Sequence, residues 1–352
     1  MGILKKNVRI AVLFGCMSIL SIGQGMDARS ADLSFRTVTD RSGEMVSIPS
    51  AVTRILITCY GGASHEIALL GGAERVVAQP SVERFPLYTD IFKNLSALPD
   101  AGSFDDINIE YIMMLKPDIV IASITSIQGN DRIKKMGIPV VTVGTGRTTI
   151  DLLLKEFVMI GEILGASDEA EALVDYWREK LSVIAARTGT IPNSGRKTVY
   201  YCSTGTPFKT EGSIGWGQHF IDAAGGVNVS EELKNTGMVT SEQLLLWNPD
   251  VIISGTDRIG SPGNRIDDLR KLGAVTAVTN GEIYFCPIGT FWWDRPSPEA
   301  ILGILWLSKT LYPELLSGID IKTETKEFYS RFYHYRLTDE AYHSFFRNGR
   351  HL

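Results

Sequence analysis

Two stretches of the chain share one pattern of apolar and polar positions. The first runs Ile109-Glu110-Tyr111-Ile112-Met113-Met114-Leu115-Lys116-Pro117-Asp118-Ile119-Val120-Ile121. The second runs Ser241-Glu242-Gln243-Leu244-Leu245-Leu246-Trp247-Asn248-Pro249-Asp250-Val251-Ile252-Ile253. Each predicts a short helix, a Pro-Asp turn and a buried strand. Proline cannot continue the helix, and it pushes the residue before it out of helical geometry. An all-apolar strand is what a parallel sheet covered on both faces requires. Thr240 with Gln243 also fits a capping box at the start of the second helix.

A second echo supports the first. Each half opens on a strand (residues 54–58 and 198–202), then a loop, then a helix ending in Gly-Gly (Gly71-Gly72 and Gly225-Gly226). The expected fold is α/β, with two Rossmann-like lobes, each a mostly parallel sheet flanked by helices. The lobes are assigned to residues 32–149 and 194–352, joined by a helical connector over residues 150–193. That connector is rich in Leu, Glu, Ala and Lys and is broken only at Gly165-Ala166-Ser167. A flexible linker would be rich in Gly and Ser. Its second helix, from about Asp168 to Arg187, is expected to be a long, rigid strut that permits only small lobe motions.

The length of 352 residues, 44% hydrophobic and 21% charged, suits two domains with real cores and is too polar for an integral membrane protein. Residues 1–31 read as a signal peptide: Lys5, Lys6 and Arg9, an apolar run over residues 10–22, then small residues. The run is short for a bilayer span. A periplasmic location after export is expected, with lipidation at Cys16 as the alternative. Removing the first 25 residues takes away three positive charges and no negative ones, so the net charge of −5 becomes −8. An acidic surface without a basic run argues against nucleic acid. The remaining Cys59, Cys202 and Cys286 form neither a disulfide framework nor a zinc spacing, and read as buried small hydrophobes.

With repeat and strut in place, the sequence resembles the helix-linked class of periplasmic substrate-binding proteins, which serve ABC importers for ferric siderophores, haem and vitamin B12. The resemblance rests on Asn108-Ile109-Glu110 through Lys116-Pro117-Asp118 and on Ser241-Glu242-Gln243 through Asn248-Pro249-Asp250. Ala224-Gly225-Gly226-Val227-Asn228 and Phe291-Trp292-Trp293-Asp294-Arg295-Pro296-Ser297-Pro298 complete it. It implies a ligand held between the lobes, where strand-end loops converge, as the general rule for α/β sheets also requires. It further implies that Glu110 and Glu242 dock on a membrane permease. The residue-level alternative is that each glutamate only complements its helix N-terminus.

Cleft loops follow from the strand ends, and they nominate Tyr60, Phe104, Arg147, Lys209, Trp216, Arg258, Trp292, Trp293 and Arg295 as ligand-binding residues. Phe104 lies six residues before Glu110, where the vitamin B12 binder of that class has a ligand-contacting tryptophan, and Trp292-Trp293 match its aromatic pair. Aromatic faces suit flat organic ligands, and at least one of these tryptophans is expected in the cleft. Arginines offer charge with planar donors for ferric catecholates or oxyanions. Arg295 has Asp294 beside it as a partner within the loop. His65, alone before Glu66, reads as a surface or packing residue, and no metal-ligand set of the protein's own is expected.

No GxSxG, HExxH or P-loop is present, so catalysis is not expected. The expected function is a monomeric receptor that binds an iron-siderophore-type chelate and delivers it to an ABC permease. Molybdate or tungstate, a nickel chelate, haem and a corrinoid are alternative cargoes. A metal-cluster enzyme on a two-lobed α/β scaffold is the alternative of another class, with Cys59 and Cys202 at analogous strand ends as its only hint. No resident cofactor is expected. The aromatic C-terminal segment is expected to pack on the second lobe without a link to the ligand.

Overall fold

The computed structural model describes residues 34–146, 148–202, 206–255, 268 and 271–346. The leader with Cys16, and the candidate ligands Arg147 and Arg258, lie outside the described residues.

The first lobe opens on an antiparallel hairpin, β1 (Phe35–Thr39) with β2 (Met45–Pro49). Its parallel sheet has the order β4 (Val76–Ala78), β3 (Ile55–Ile57), β7 (Ile119–Ser123), β8 (Val140–Val143). Every residue of β3, β7 and β8 is buried, so the unbroken apolar runs are covered on both faces. Helices α1 (Ala63–Leu69), α2 (Pro86–Ile91), α3 (Ile109–Leu115) and α4 (Ile127–Lys135) belong to this lobe, with a small hairpin of β5 (Gly102–Ser103) and β6 (Asp106–Ile107).

The second sheet repeats the plan. Strands β9 (Thr198–Cys202), β13 (Val251–Ser254) and β14 (Ile283–Phe285) are parallel, and β11 (Val227–Asn228) pairs parallel with β9. Short β10 (Lys209–Thr210) and β12 (Gly237–Met238) add an antiparallel edge. Helices α7 (Trp216–Ala223), α8 (Ser241–Trp247) and α9 (Thr276–Thr279) accompany it.

The sequence repeat is realised down to single hydrogen bonds. Asn108 caps α3 by accepting from Tyr111 N at 3.0 Å, and Thr240 caps α8 by accepting from Gln243 N at 3.2 Å. Both helices end in a left-handed residue, Lys116 (φ 46°) and Asn248 (φ 41°). Each Pro-Asp turn is then tied to the start of the neighbouring strand. Asp118 Oδ2 accepts the amide and hydroxyl of Thr53 at 2.6 and 2.9 Å; Asp250 Oδ2 accepts those of Thr198 at 2.8 and 2.9 Å. The aspartate recurs because it satisfies two donors at once.

Between the sheets come α5 (Ile150–Leu164) and the 22-residue α6 (Ser167–Thr188), which pack on each other. Thr149 caps α5 through Leu152 N, and Gly165 closes it at φ 68°. On α6, Trp177 is fully buried, meets Phe157 of α5 edge-on at 5.9 Å and donates its indole N–H to Pro298 O at 3.1 Å. The chain finishes with α10 (Ala300–Leu311), α11 (Ile321–Phe332) and α12 (Asp339–Ser344). One hydrophobic cluster runs from Ile55 through Phe157, Trp177 and Phe291 to Ile253, so the lobes share packed side chains. No helix of the described residues is long and apolar enough to cross a membrane.

Candidate functional site

A cavity of about 120 Å³ lies where loops of both lobes meet. The turn after β3 contributes Cys59, Tyr60 and Gly61, and α1 contributes Ser64 and His65. The segment between β4 and α2 contributes Pro80, Val82, Arg84 and Phe85, and the loop after β14 contributes Phe291 and Trp292. Gly62 is required at this junction, because a Cβ there would sit 2.6 Å from Pro296 O. Only a bare backbone lets the two loops come so close.

Arg84 organises the mouth. Its guanidinium lies 5.5 Å from the ring centre of Tyr60 and 5.8 Å from that of Trp292, and Tyr60 packs 6.2 Å from Phe104. Rings from both lobes thus hold one cation by their faces. Among the described residues no carboxylate pairs with Arg84, so its donors are available to a ligand.

The floor is aromatic and dry. His65 stacks on Tyr88 at 4.0 Å and packs on Phe291 at 4.5 Å; Phe85 meets Phe291 at 5.1 Å and Trp292 at 4.7 Å. His65 Nε2 donates to Thr290 O at 2.9 Å, which fixes the tautomer because a carbonyl can only accept. Burial holds this imidazole neutral, with its pKa pushed down to about 3. His65 is therefore a packing residue.

Behind the loop, the buried Glu299 carboxylate gathers Trp293 Nε1 (3.0 Å), Tyr329 OH (2.8 Å), Thr290 N (3.2 Å) and the Thr290 hydroxyl. Burial raises its pKa, and these donors offset part of the rise. Tyr333 OH reaches Thr290 Oγ1 at 2.8 Å, while Phe345 and Phe346 pack edge-on against Trp293. The aromatic C-terminal segment, which the sequence left unconnected to the site, props the loop that carries Trp292.

The nominated residues separate into groups. Tyr60 and Trp292 line the cavity, and Phe104 borders it through Tyr60 at a left-handed φ of 56°. Two expectations need correcting. Trp293 is fully buried on Glu299, and Trp216 is buried in the core at the start of α7; a large indole that can pack behind a loop need not face its opening. Arg295 is bound to Tyr201 and to Asp294 at 3.0 Å, with burial lowering its pKa to about 10; Tyr201 OH also donates to Asp294 at 2.7 Å. Lys209 sits on the short β10, near Glu211, and is not among the cavity residues. Sequence reasoning missed Arg84, because β4 is only three residues long and its following loop was not recognised as a strand end.

Beneath the first-lobe loops lies a buried carboxyl pair. Glu156 accepts Gly144 N at 2.6 Å and pairs with Arg41 at 3.3 Å, with Glu66 as its neighbour. Burial pushes both carboxyls up, Glu156 to about 7 and Glu66 further, so the proton resides on Glu66. Cys59, Cys202 and Cys286 are buried free thiols, and among the described residues no group of three His, Cys, Asp or Glu is placed to hold a metal ion.

A family profile described as periplasmic binding protein matches residues 57–288. The molybdate-binding protein MolA of Haemophilus influenzae is 25% identical over 327 residues, 86% of this chain and 92% of that protein. An uncharacterized ABC transporter substrate-binding lipoprotein of Bacillus subtilis, YvrC, is 24% identical over 88% of this chain and 99% of its own length. The crystal structure of a periplasmic solute binding protein from Veillonella parvula superposes with a TM-score of 0.75 at 25% identity, over 89% of this chain and 97% of that one. With the repeat, the two sheets and a profile spanning most of the chain in agreement, this protein belongs to the periplasmic binding protein family.

Proposed function

We propose that the protein is the substrate-binding component of an ABC importer, that it acts as a monomer after export to the periplasm, and that its cargo is an anionic, metal-containing small molecule held at Arg84. The observation that carries the reading is the Arg84 guanidinium, set between Tyr60 and Trp292 of opposite lobes with no carboxylate partner among the described residues. Such a cation, backed by a dry aromatic floor, supplies planar donors to an anion while water is displaced. Nothing in the site calls for catalysis, and the metal is cargo.

Size favours a compact ligand. Pockets for drug-sized molecules run to about 300–1,000 Å³, whereas this cavity measures about 120 Å³. An oxyanion of the molybdate or tungstate kind suits it, in keeping with the molybdate-binding relative. The ferric siderophore expected from the sequence is the second reading, favoured by the aromatic edges of Tyr60 and Trp292.

A thermal-shift panel decides between them: molybdate, tungstate, ferric catecholate, ferric hydroxamate, haem, cobalamin and nickel-histidine. A ligand at a hundred times its dissociation constant adds about 2.7 kcal/mol of stability. A shift with molybdate or tungstate supports the compact-oxyanion reading, and a shift with ferric catecholate alone supports the second. A shift only with neutral cobalamin or a neutral hydroxamate complex refutes an anionic cargo.

A further inference from the structure

Two faces far from the cavity residues in sequence carry the same exposed chemistry. Helices α3 and α8 bury one side chain at the same repeat position, Ile112 and Leu244. Outward, α3 shows Glu110 followed by Met113 and Met114, which are 50% and 66% exposed. At the matching positions α8 shows Glu242 followed by Leu245 and Leu246, 41% and 78% exposed. Residues three and four apart share a helix face, so each helix presents one carboxylate with two bulky apolar groups beside it. A single exposed Leu or Met is ordinary. The same triplet on both copies of a repeat, held in place by matching caps and Thr–Asp anchors, is a preformed pair of surfaces.

We infer that these faces are the two halves of one docking surface, in which Met113–Met114 and Leu245–Leu246 supply the affinity and the glutamates flank them. The occupant is a partner presenting two equivalent apolar sockets, each edged by a cation. Two near-identical patches are matched most simply by two copies of one subunit. The inference rests on the importer reading, which makes that partner a symmetric pair of permease subunits. Exposed ion pairs contribute little affinity and chiefly speed association. Apolar anchors that become buried set the dissociation rate.

The test uses cytoplasmic-membrane vesicles from the native host and fluorescently labelled full-length protein. Wild type binds saturably and is displaced by unlabelled wild type. M113S/M114S and L245S/L246S each lose about tenfold in affinity, mainly through faster dissociation, and the fourfold variant loses more than either. E110Q/E242Q associates more slowly and with less salt dependence. All four side chains are exposed, so circular dichroism and ligand-induced thermal shifts stay at wild-type values. The inference is overturned if the fourfold variant binds within twofold of wild type, or if only one lobe's pair matters. It is equally overturned if protein-free liposomes of the same lipids show the same loss, which marks a lipid surface. Absence of any saturable wild-type binding overturns the importer reading itself, together with this inference.

Discussion

His65 Nε2 donates to the Thr290 carbonyl at 2.9 Å, which ties a helix of the first lobe to the loop that carries Trp292 in the second. The bond is buried, and the ring is clamped between Tyr88 and Phe291. His65→Phe keeps the stacking but leaves Thr290 O without its donor. It should destabilise the protein by about 1–3 kcal/mol in urea unfolding and weaken ligand binding by loosening the loop. Unchanged stability would show that the bond holds nothing.

The same histidine and the Glu156 carboxyl act on stability in opposite directions. His65 is lowered from 6.5 to about 3, so the stability tied to its neutral form is present above pH 6.5 and is lost as pH falls toward 3. Glu156 is raised from 4.5 to about 7, so its contribution is present below pH 4.5 and is lost as pH rises through 7. Between pH 4.5 and 6.5 the two slopes oppose each other. Glu156→Gln removes the second slope, so this variant's stability should climb across that window and stay level from about pH 6.5 to 7.5. Denaturant midpoints measured at half-unit steps check it, and a decline above pH 6.5 in the variant would contradict it.

Adjacent tryptophans should behave differently. Trp293→Ala removes a buried indole and a donor to Glu299, at a cost of about 3–5 kcal/mol. Trp292→Ala, at the cavity mouth, should change stability by less than about 1 kcal/mol while lowering ligand affinity. Paired melting and binding measurements on the two variants separate the roles, and equal melting losses would refute the distinction.

The duplicated anchors give a symmetric prediction. Asp118→Ala and Asp250→Ala each strand the amide and hydroxyl of a threonine, and each should cost about 1–2 kcal/mol. Similar losses in chemical unfolding are expected from both lobes. A loss from one alone would mean that the repeat is not equivalent in energy.

Much of the architecture was legible because short-range rules set it. Pro117 and Pro249 stop helices wherever they stand, Asp118 and Asp250 serve the strand beside them, and apolar runs such as Ile119–Ser123 need burial on both faces. The site was less legible because it depends on long-range packing. Nothing local distinguishes Trp292 from Trp293; the difference is Glu299 and the C-terminal rings, which reach Trp293 from elsewhere in the chain. Trp216 heads a helix after a glycine, a position equally suited to a cleft or a core, and packing decides for the core. Arg84 follows a stretch with little strand character, and its importance comes from Tyr60 and Trp292 on either side.

Calorimetric titration of wild type and Arg84→Ala with molybdate, tungstate and ferric catecholate tests the central claim most directly. Arg84 is exposed and makes ring contacts, so the variant should melt with the apo wild type. Loss of a charge-assisted contact of about 1.5–3 kcal/mol should weaken binding of the cognate anion roughly ten- to a hundredfold. Equal affinity of the two proteins for that anion, or no binding of any anion by the wild type, would contradict the account.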